Sequence, residues 1–327
     1  MILKDKIYGE FEIKDPLIEE IIQTKAMQRL KGLNQYCLPI VLLDPKLTTT
    51  RFEHCIGVFL LLKQLNASRE EQIAGLIHDI AHTAFSHTID FVYDNQTIQD
   101  HHENLHHIII ENSEIPQILK KHNLDPDYIL NDKNFHLLEN KLPNLCADRL
   151  DYLMRDAFTV KGIEKEKIMQ YLNSFTIKNK EIIIKNKEFA EKIALEYFNM
   201  NHDFWGAPYF TAQATLTAEA IKIALKNNII TEKDFLLTDN ELFDKLINSN
   251  NQEIIKKLNL VKNKENFIET NKKDYDFHTQ TKVRFIDPKF IENGQIITLS
   301  ETNKEFKEKI EEEEERFKQG FYIKLKL

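Results

Sequence analysis

Eight of the chain's twelve histidines fall between His54 and His107, where an even spread would place about two. Any fold for this sequence has to accommodate that density, and the intervening residues indicate how. Phe52 to about Leu65 is strongly apolar around its whole circumference, the pattern of a buried helix. Ser68-Arg-Glu-Glu71 is a capping-box pattern that predicts a second helix running to about His82. Gly and Pro number 8 each in 327 residues. With so few turn-formers, long helices are expected rather than many short strands.

Ile7–Ile13 alternates around Gly9 and predicts a strand or hairpin. Asp15-Pro16 opens a helix as N-cap and N1, with Glu19 and Glu20 in its first turn and apolar positions at helical spacing over 17–33. Residues 34–50 are loop-like. Further helices are predicted over about 101–111, 145–158 and most of 188–227, and Thr238-Asp-Asn-Glu241 is another capping box. Phe175–Lys185 predicts a hairpin turning at Asn179-Lys180. From about 273 the texture changes: strands over 281–286 and 295–299, a charged helix over 301–318 and a last strand from Phe321 form a small α+β lobe. The domain division is 1–235 and 236–327.

A net charge of −8 argues against a nucleic-acid partner, because phosphate binding needs a basic surface. No apolar run approaches the 18 residues of a membrane span. The first residues lack the apolar core and cleavage site of a signal peptide. Cys37, Cys55 and Cys146 are odd in number and irregular in spacing, as expected for reduced thiols of a cytoplasmic protein.

Four segments carry chemistry. Arg51-Phe-Glu-His54 places Arg51 and His54 on one helix face. His78-Asp79-Ile-Ala-His82-Thr-Ala-Phe-Ser-His87 offers nitrogen and hard-oxygen ligands side by side. His101-His102-Glu103 follows, and Asp148-Arg-Leu-Asp151-Tyr152-Leu-Met-Arg155-Asp156 stacks Asp148, Tyr152 and Asp156 on one face. Two imidazoles and two carboxylates can hold a divalent metal while leaving positions for water and a phosphate oxygen. Each piece has a plainer reading: a core histidine at His54, surface histidines at His106 and His107, ordinary ion pairs around Asp151 and Arg155. The joint pattern carries the argument.

The order His…His-Asp…Asp resembles the HD superfamily of metal-dependent phosphohydrolases, and the long motifs are similar to its deoxynucleoside-triphosphate triphosphohydrolase branch. That branch includes a mammalian SAM- and HD-domain dNTPase and bacterial relatives. Met27–Tyr36 resembles the segment ahead of the first motif. The resemblance implies a mainly α fold, an HD-domain helical core with small β-hairpins and the α+β lobe. It implies His54, His78, Asp79 and Asp148 as ligands of a divalent metal, whether Mn, Fe, Ni, Zn or Mg. His102 would be the catalytic histidine, Asp90 the carboxylate orienting it, and His82 and His87 active-site histidines at the phosphates. Arg51, Arg149 and Tyr152 would contact phosphate, Asp156 the sugar, Gln35 the 3′-hydroxyl, and Tyr36 would exclude a 2′-hydroxyl. The implied partners are a nucleotide substrate and further copies of the chain, as dimer or tetramer.

The sequence departs from the family pattern. Ala81 and Ala84 replace a usual Gly and Pro. Glu196 stands where the family often carries an Arg for the terminal phosphates, and a usual His-Lys gives way to Trp205-Gly-Ala-Pro. A lost donor to a buried phosphate costs about 2–5 kcal/mol. Three readings follow: a dNTP triphosphohydrolase, a nucleotidase of the same superfamily, and a non-catalytic nucleotide sensor.

Overall fold

The computed structural model describes residues 1–36, 38, 42, 46–99 and 109–326. The chain opens with an antiparallel hairpin of β1 (Ile2–Asp5) and β2 (Gly9–Glu12). The helix predicted over 17–33 is instead α1 (Pro16–Gln23), α2 (Lys25–Arg29) and a 3₁₀ turn at Leu30–Gly32. Thr24 makes the break: its hydroxyl donates to Ile21 O, ending α1, and accepts from Met27 N, starting α2. Such local side-chain bonds compete with helix continuation.

The centre is α3 (Arg51–Gln64), buried on nearly every side as its apolar circumference predicts. It packs between α4 (Arg69–Ile77) and a later helix of residues 147–159. Helix α4 stops before His78, short of the predicted His82. Residues 78–87 form successive turns instead, in which buried Phe85 and Ser86 take positive φ of 61° and 44°. This backbone is costly for residues with side chains and tends to persist where the surroundings impose it. α5 (Thr88–Val92) follows. Of the helix predicted over 101–111, only 109–111 is described, and it is helical.

α6 (Ile115–Lys121) and α7 (Pro126–Ile129) lead to α8 (Ala147–Thr159) and α9 (Lys165–Ser174). β3 (Phe175–Lys178) and β4 (Glu181–Ile184) form the predicted hairpin, with Asn179 and Lys180 both at positive φ. α10 (Lys187–Met200) runs into a π-helical turn at Asn201–Trp205, and α11 (Pro208–Lys226) follows. α12 (Asp239–Ile247) starts at the predicted capping box and α13 (Gln252–Val261) packs on α11.

In the C-terminal part, β5 (Phe267–Glu269) and β6 (Phe277–Thr279) flank β9 (Phe321–Leu325). The strand predicted over 281–286 does not form: these residues belong to no strand or helix. The charged helix is split into α14 (Leu299–Thr302) and α15 (Lys304–Gln319), with Asn303 capping the second. β7 (Lys289–Glu292) and β8 (Gln295–Thr298) extend the β3–β4 hairpin into one four-stranded sheet. That sheet crosses the division expected at residue 235.

Asp239 also crosses it. Its buried carboxylate accepts from Asn34 N at 2.6 Å and Phe85 N at 2.8 Å, so α12 pins both the loop before α3 and the strained turn. Asp239→Ala strands two buried N–H groups and should cost about 2–4 kcal/mol, read by denaturant unfolding. Burial lifts the Asp239 carboxyl to about 6. A folded pKa above the unfolded value means stability that is full below about pH 4 and lost as pH rises through the folded pKa. The stability difference between wild type and Asp239→Asn should therefore change over that window and level off above it.

Candidate metal centre and adjoining cavity

The capping box of Thr50 and Glu53 sets the first turn of α3, which directs Arg51 and His54 to the same side, as their three-residue spacing predicts. Facing them, the first turn of α8 supplies Asp148, and the end of α4 supplies His78 and Asp79. His54 Nε2 lies 2.8 Å from Asp148 Oδ1 and 3.3 Å from His78 Nε2, which is itself 3.5 Å from Asp148 Oδ1. The donor atoms of these three residues all lie within 4.8 Å of one another. Asp79 approaches from the side, 3.5 Å from His78 Nε2 and 3.9 Å from His54 Nε2, while Arg51 Nη1 holds its Oδ2.

The tautomers test whether a cation fits. His78 Nδ1 lies 2.8 Å from Gly75 O, which can only accept, so Nδ1 carries the proton. His54 Nδ1 lies 2.8 Å from Asp151 Oδ2. That carboxylate also accepts from Arg155 Nε at 2.7 Å and Tyr8 Oη at 2.9 Å. With Arg155 and Tyr8 already donating to it, it is an acceptor, so His54 Nδ1 donates as well. The two Nε2 lone pairs then face each other and a carboxylate, an arrangement that needs a shared positive charge. Burial opposes a proton on either ring, but Asp148 and Asp151 outweigh it at His54, and Asp79 and Asp148 at His78, so both pKa values are raised. Burial likewise opposes the charge on Asp148, yet the two imidazoles hold its carboxyl below the usual range. Such a donor set fits a divalent cation, with Asp151 as the outer carboxylate that orients a ligating imidazole.

Asp151 was read from sequence only as half of an ion pair with Arg155. Its contact with His54 across α3 and α8 has no local signature. The pair sits against Gly57, where a Cβ would collide with Arg155 Nη2 and Asp151 Oδ1, so α3 and α8 can approach only with glycine there. Arg155 Nη2 also reaches Asp5 Oδ2 at 2.9 Å, tying the N-terminal hairpin to the centre.

Beside this cluster opens a cavity lined by Gln35, Tyr36, Arg51, His87, Tyr152 and Asp156 from the predicted set. Phe204, Trp205, Phe210, Gln99, Thr281 and Arg284 also line it, and sequence reasoning assigned none of these six to the site. Trp205 is carried in by the π-helical turn. Its Nε1 donates to Asp156 Oδ2 at 2.7 Å, and its ring meets Tyr152 and Tyr197 edge-on. Asp156 Oδ1 is buried without a hydrogen-bond partner among the described residues, and burial lifts this carboxyl to about 7. Tyr36 packs edge-on against Phe204 and its hydroxyl meets Thr159 Oγ1 at 3.0 Å.

His82 Nε2 sits 3.2 Å from Asp79 Oδ1, and burial with the neighbouring Arg51 charge pushes its pKa down to about 3. His87 Nδ1 lies 3.0 Å from Asp90 Oδ2, so Asp90 orients His87. Burial lowers the His87 pKa despite Asp90. His102 and Cys37 lie outside the described residues, and with His102 goes its expected pairing with Asp90. Cys55 and Cys146 are buried free thiols. Arg149 turns away from the cavity: Nη1 donates to Asn144 O at 2.6 Å, and Nη2 to Asn140 O at 3.0 Å and Glu139 Oε1 at 3.2 Å. It clamps the loop before α8 rather than lining the cavity wall.

Asp151→Asn should weaken divalent-metal affinity by roughly 10- to 100-fold, read by chelator competition. Asp151→Ala, which leaves buried Arg155 with Asp5 as its one remaining carboxylate among the described residues, should in addition cost about 1–3 kcal/mol of stability. Gly57→Ala should reproduce both losses in part without touching a ligand.

Residues 51–156 match the family described as HD domain. The chain is 37% identical to the uncharacterized protein YdhJ of Bacillus subtilis over 99% of both sequences. It is 32% identical to the metal-dependent phosphohydrolase cns2 of Cordyceps militaris, over 64% of this chain and 61% of that one. Its fold is similar to the crystal structure of a phosphohydrolase from Bacteroides thetaiotaomicron, with a TM-score of 0.71, 18% identity and 100% of both chains covered. No described helix is long and apolar enough to cross a membrane. A ligand cluster assembled by α3, α4 and α8, inside the matched segment and within a fold shared along its whole length, makes this chain a member of the HD-domain phosphohydrolase superfamily.

Proposed function

We propose that this metal-dependent phosphohydrolase acts on nucleotides, and that deoxynucleoside triphosphates are its substrates, cleaved to deoxynucleoside and tripolyphosphate. The observation that carries the reading is one cavity with two chemistries. Arg51, which also holds Asp79 of the metal centre, and His87 line it, and so do Phe204, Trp205 and Phe210. On the same cavity Asp156 presents a buried Oδ1 with no partner among the described residues, which suits a sugar hydroxyl donor. The aromatic rings suit a base.

A divalent cation at His54, His78, Asp79 and Asp148 supplies Lewis-acid neutralisation of phosphate charge and activation of water. The chain's own residues do the rest. Arg51, braced by Ser86 Oγ at 2.7 Å, orients Asp79. His87, with Nδ1 held by Asp90, directs Nε2 toward a phosphate. In the reaction water adds at the α-phosphorus, the bond to O5′ breaks, and O5′ leaves with a proton. His102 is proposed as the proton donor, because imidazole titrates near working pH.

The placement of Arg149 favours a second reading. With that cation clamped on a loop and Glu196 in place of an arginine, the cavity wall holds fewer cations than a triphosphate asks for, and a nucleotidase acting on fewer phosphates fits the same geometry. Phosphorus NMR of products from dNTPs, NTPs and mononucleotides, with Mn²⁺ or Mg²⁺, separates the two. Tripolyphosphate from dNTPs, lost in Asp79→Ala, is the expected result. Orthophosphate from mononucleotides would establish the second reading instead. Tight nucleotide binding with no turnover under any metal would reject both.

A further inference from the structure

The C-terminal part of the chain reaches the cavity at two residues, Thr281 and Arg284, both on the segment between β6 and β7. Arg284 is half-buried, and its Nη2 donates to Gln99 Oε1. Gln99 is itself buried, and its Nε2 donates to Thr281 Oγ1 at 3.1 Å. The guanidinium is therefore held in place by a neutral amide that is pinned from the same segment it serves. Among the described residues no carboxylate pairs with Arg284. The contrast with the other arginines of the site is chemical. Arg51 is committed to Asp79, Arg155 to Asp151 and Asp5, and Arg149 to Glu139. A cation held at a cavity wall by a neutral partner keeps its charge for a ligand, and a planar guanidinium suits a phosphate.

Building on the nucleotide reading above, we propose that Arg284 is a substrate-binding residue that grips the phosphate chain, and that the C-terminal lobe completes the cavity in this way. Arg284 lines the same cavity as His87 and Tyr152. The phosphate-binding cation that α10 lacks at Glu196 is thus supplied from about ninety residues further along the chain.

The test separates grip from scaffolding. Calorimetric titration of metal-loaded protein with inorganic tripolyphosphate, and separately with a deoxynucleoside, compares wild type, Arg284→Gln and Arg284→Lys. Loss of a charge-assisted contact should weaken tripolyphosphate binding by about 10- to 100-fold in Arg284→Gln, leave deoxynucleoside binding unchanged, and be partly restored in Arg284→Lys. In turnover, KM for the nucleotide should rise more than kcat falls. Equal loss for both ligands, or none for tripolyphosphate in either variant or wild type, would overturn the assignment. Should Arg284→Gln fail to fold, Arg284→Lys still decides, since a point charge lacks the planar fork and should bind tripolyphosphate more weakly at an unchanged Tm. Arg284-dependent phosphate binding without any turnover would sink the enzymatic reading and leave this one standing. Normal turnover with unchanged KM in Arg284→Gln would do the reverse.

Discussion

The structure around the site depends on one buried carboxylate. Asp151 is fully enclosed between α3 and α8 and receives bonds from His54, Arg155 and Tyr8. A buried charge is tolerable only when paired and hydrogen-bonded on every side. Those bonds hold the axis of α3 against α8, keep Gly57 without a side chain, and draw the N-terminal hairpin onto the pair. They also force His54 into the tautomer whose Nε2 lone pair faces His78 and Asp148. The helix packing and the ligand geometry are one constraint seen from two sides.

A second layer of buried acidic groups shapes what lies beside the centre. Asp239 reaches back from α12 to hold the turn that contains Phe85 and Ser86, and Ser86 in turn receives Arg51. Arg51 then braces Asp79. A chain of short contacts thus runs from the C-terminal half to a residue of the candidate metal centre, and the strained backbone at positions 85 and 86 sits in the middle of it. Across the cavity, the π-helical turn rotates Trp205 onto Asp156, a local irregularity of the kind often found at functional sites.

Much of the candidate site is legible in the sequence. The three-residue spacing of Arg51 and His54, the His78-Asp79 pair and the stacked Asp148, Tyr152 and Asp156 all concern residues within one or two helical turns, where periodicity dictates which side chains share a face. The local breaks were less legible. Thr24 interrupts a periodic stretch through hydroxyl bonds that compete with the helix, and α4 ends about five residues early, ahead of a turn that Asp239 holds at Phe85 N from far along the chain. Segment 281–286 has the composition of a strand, but it pairs with no strand among the described residues.

By itself the sequence determined the helical character, the buried helix at the centre and the set of side chains able to hold a divalent cation, because each rests on local periodicity, capping chemistry or residue type. Tertiary structure alone decided how those side chains are used. It turned Arg149 onto a loop, made Asp151 the partner of His54, and brought Trp205, Gln99 and Arg284 to one wall. These outcomes depend on contacts between residues up to about two hundred positions apart, which no spacing rule encodes. Packing and the pairing of buried charge select among the many pairs that composition would permit.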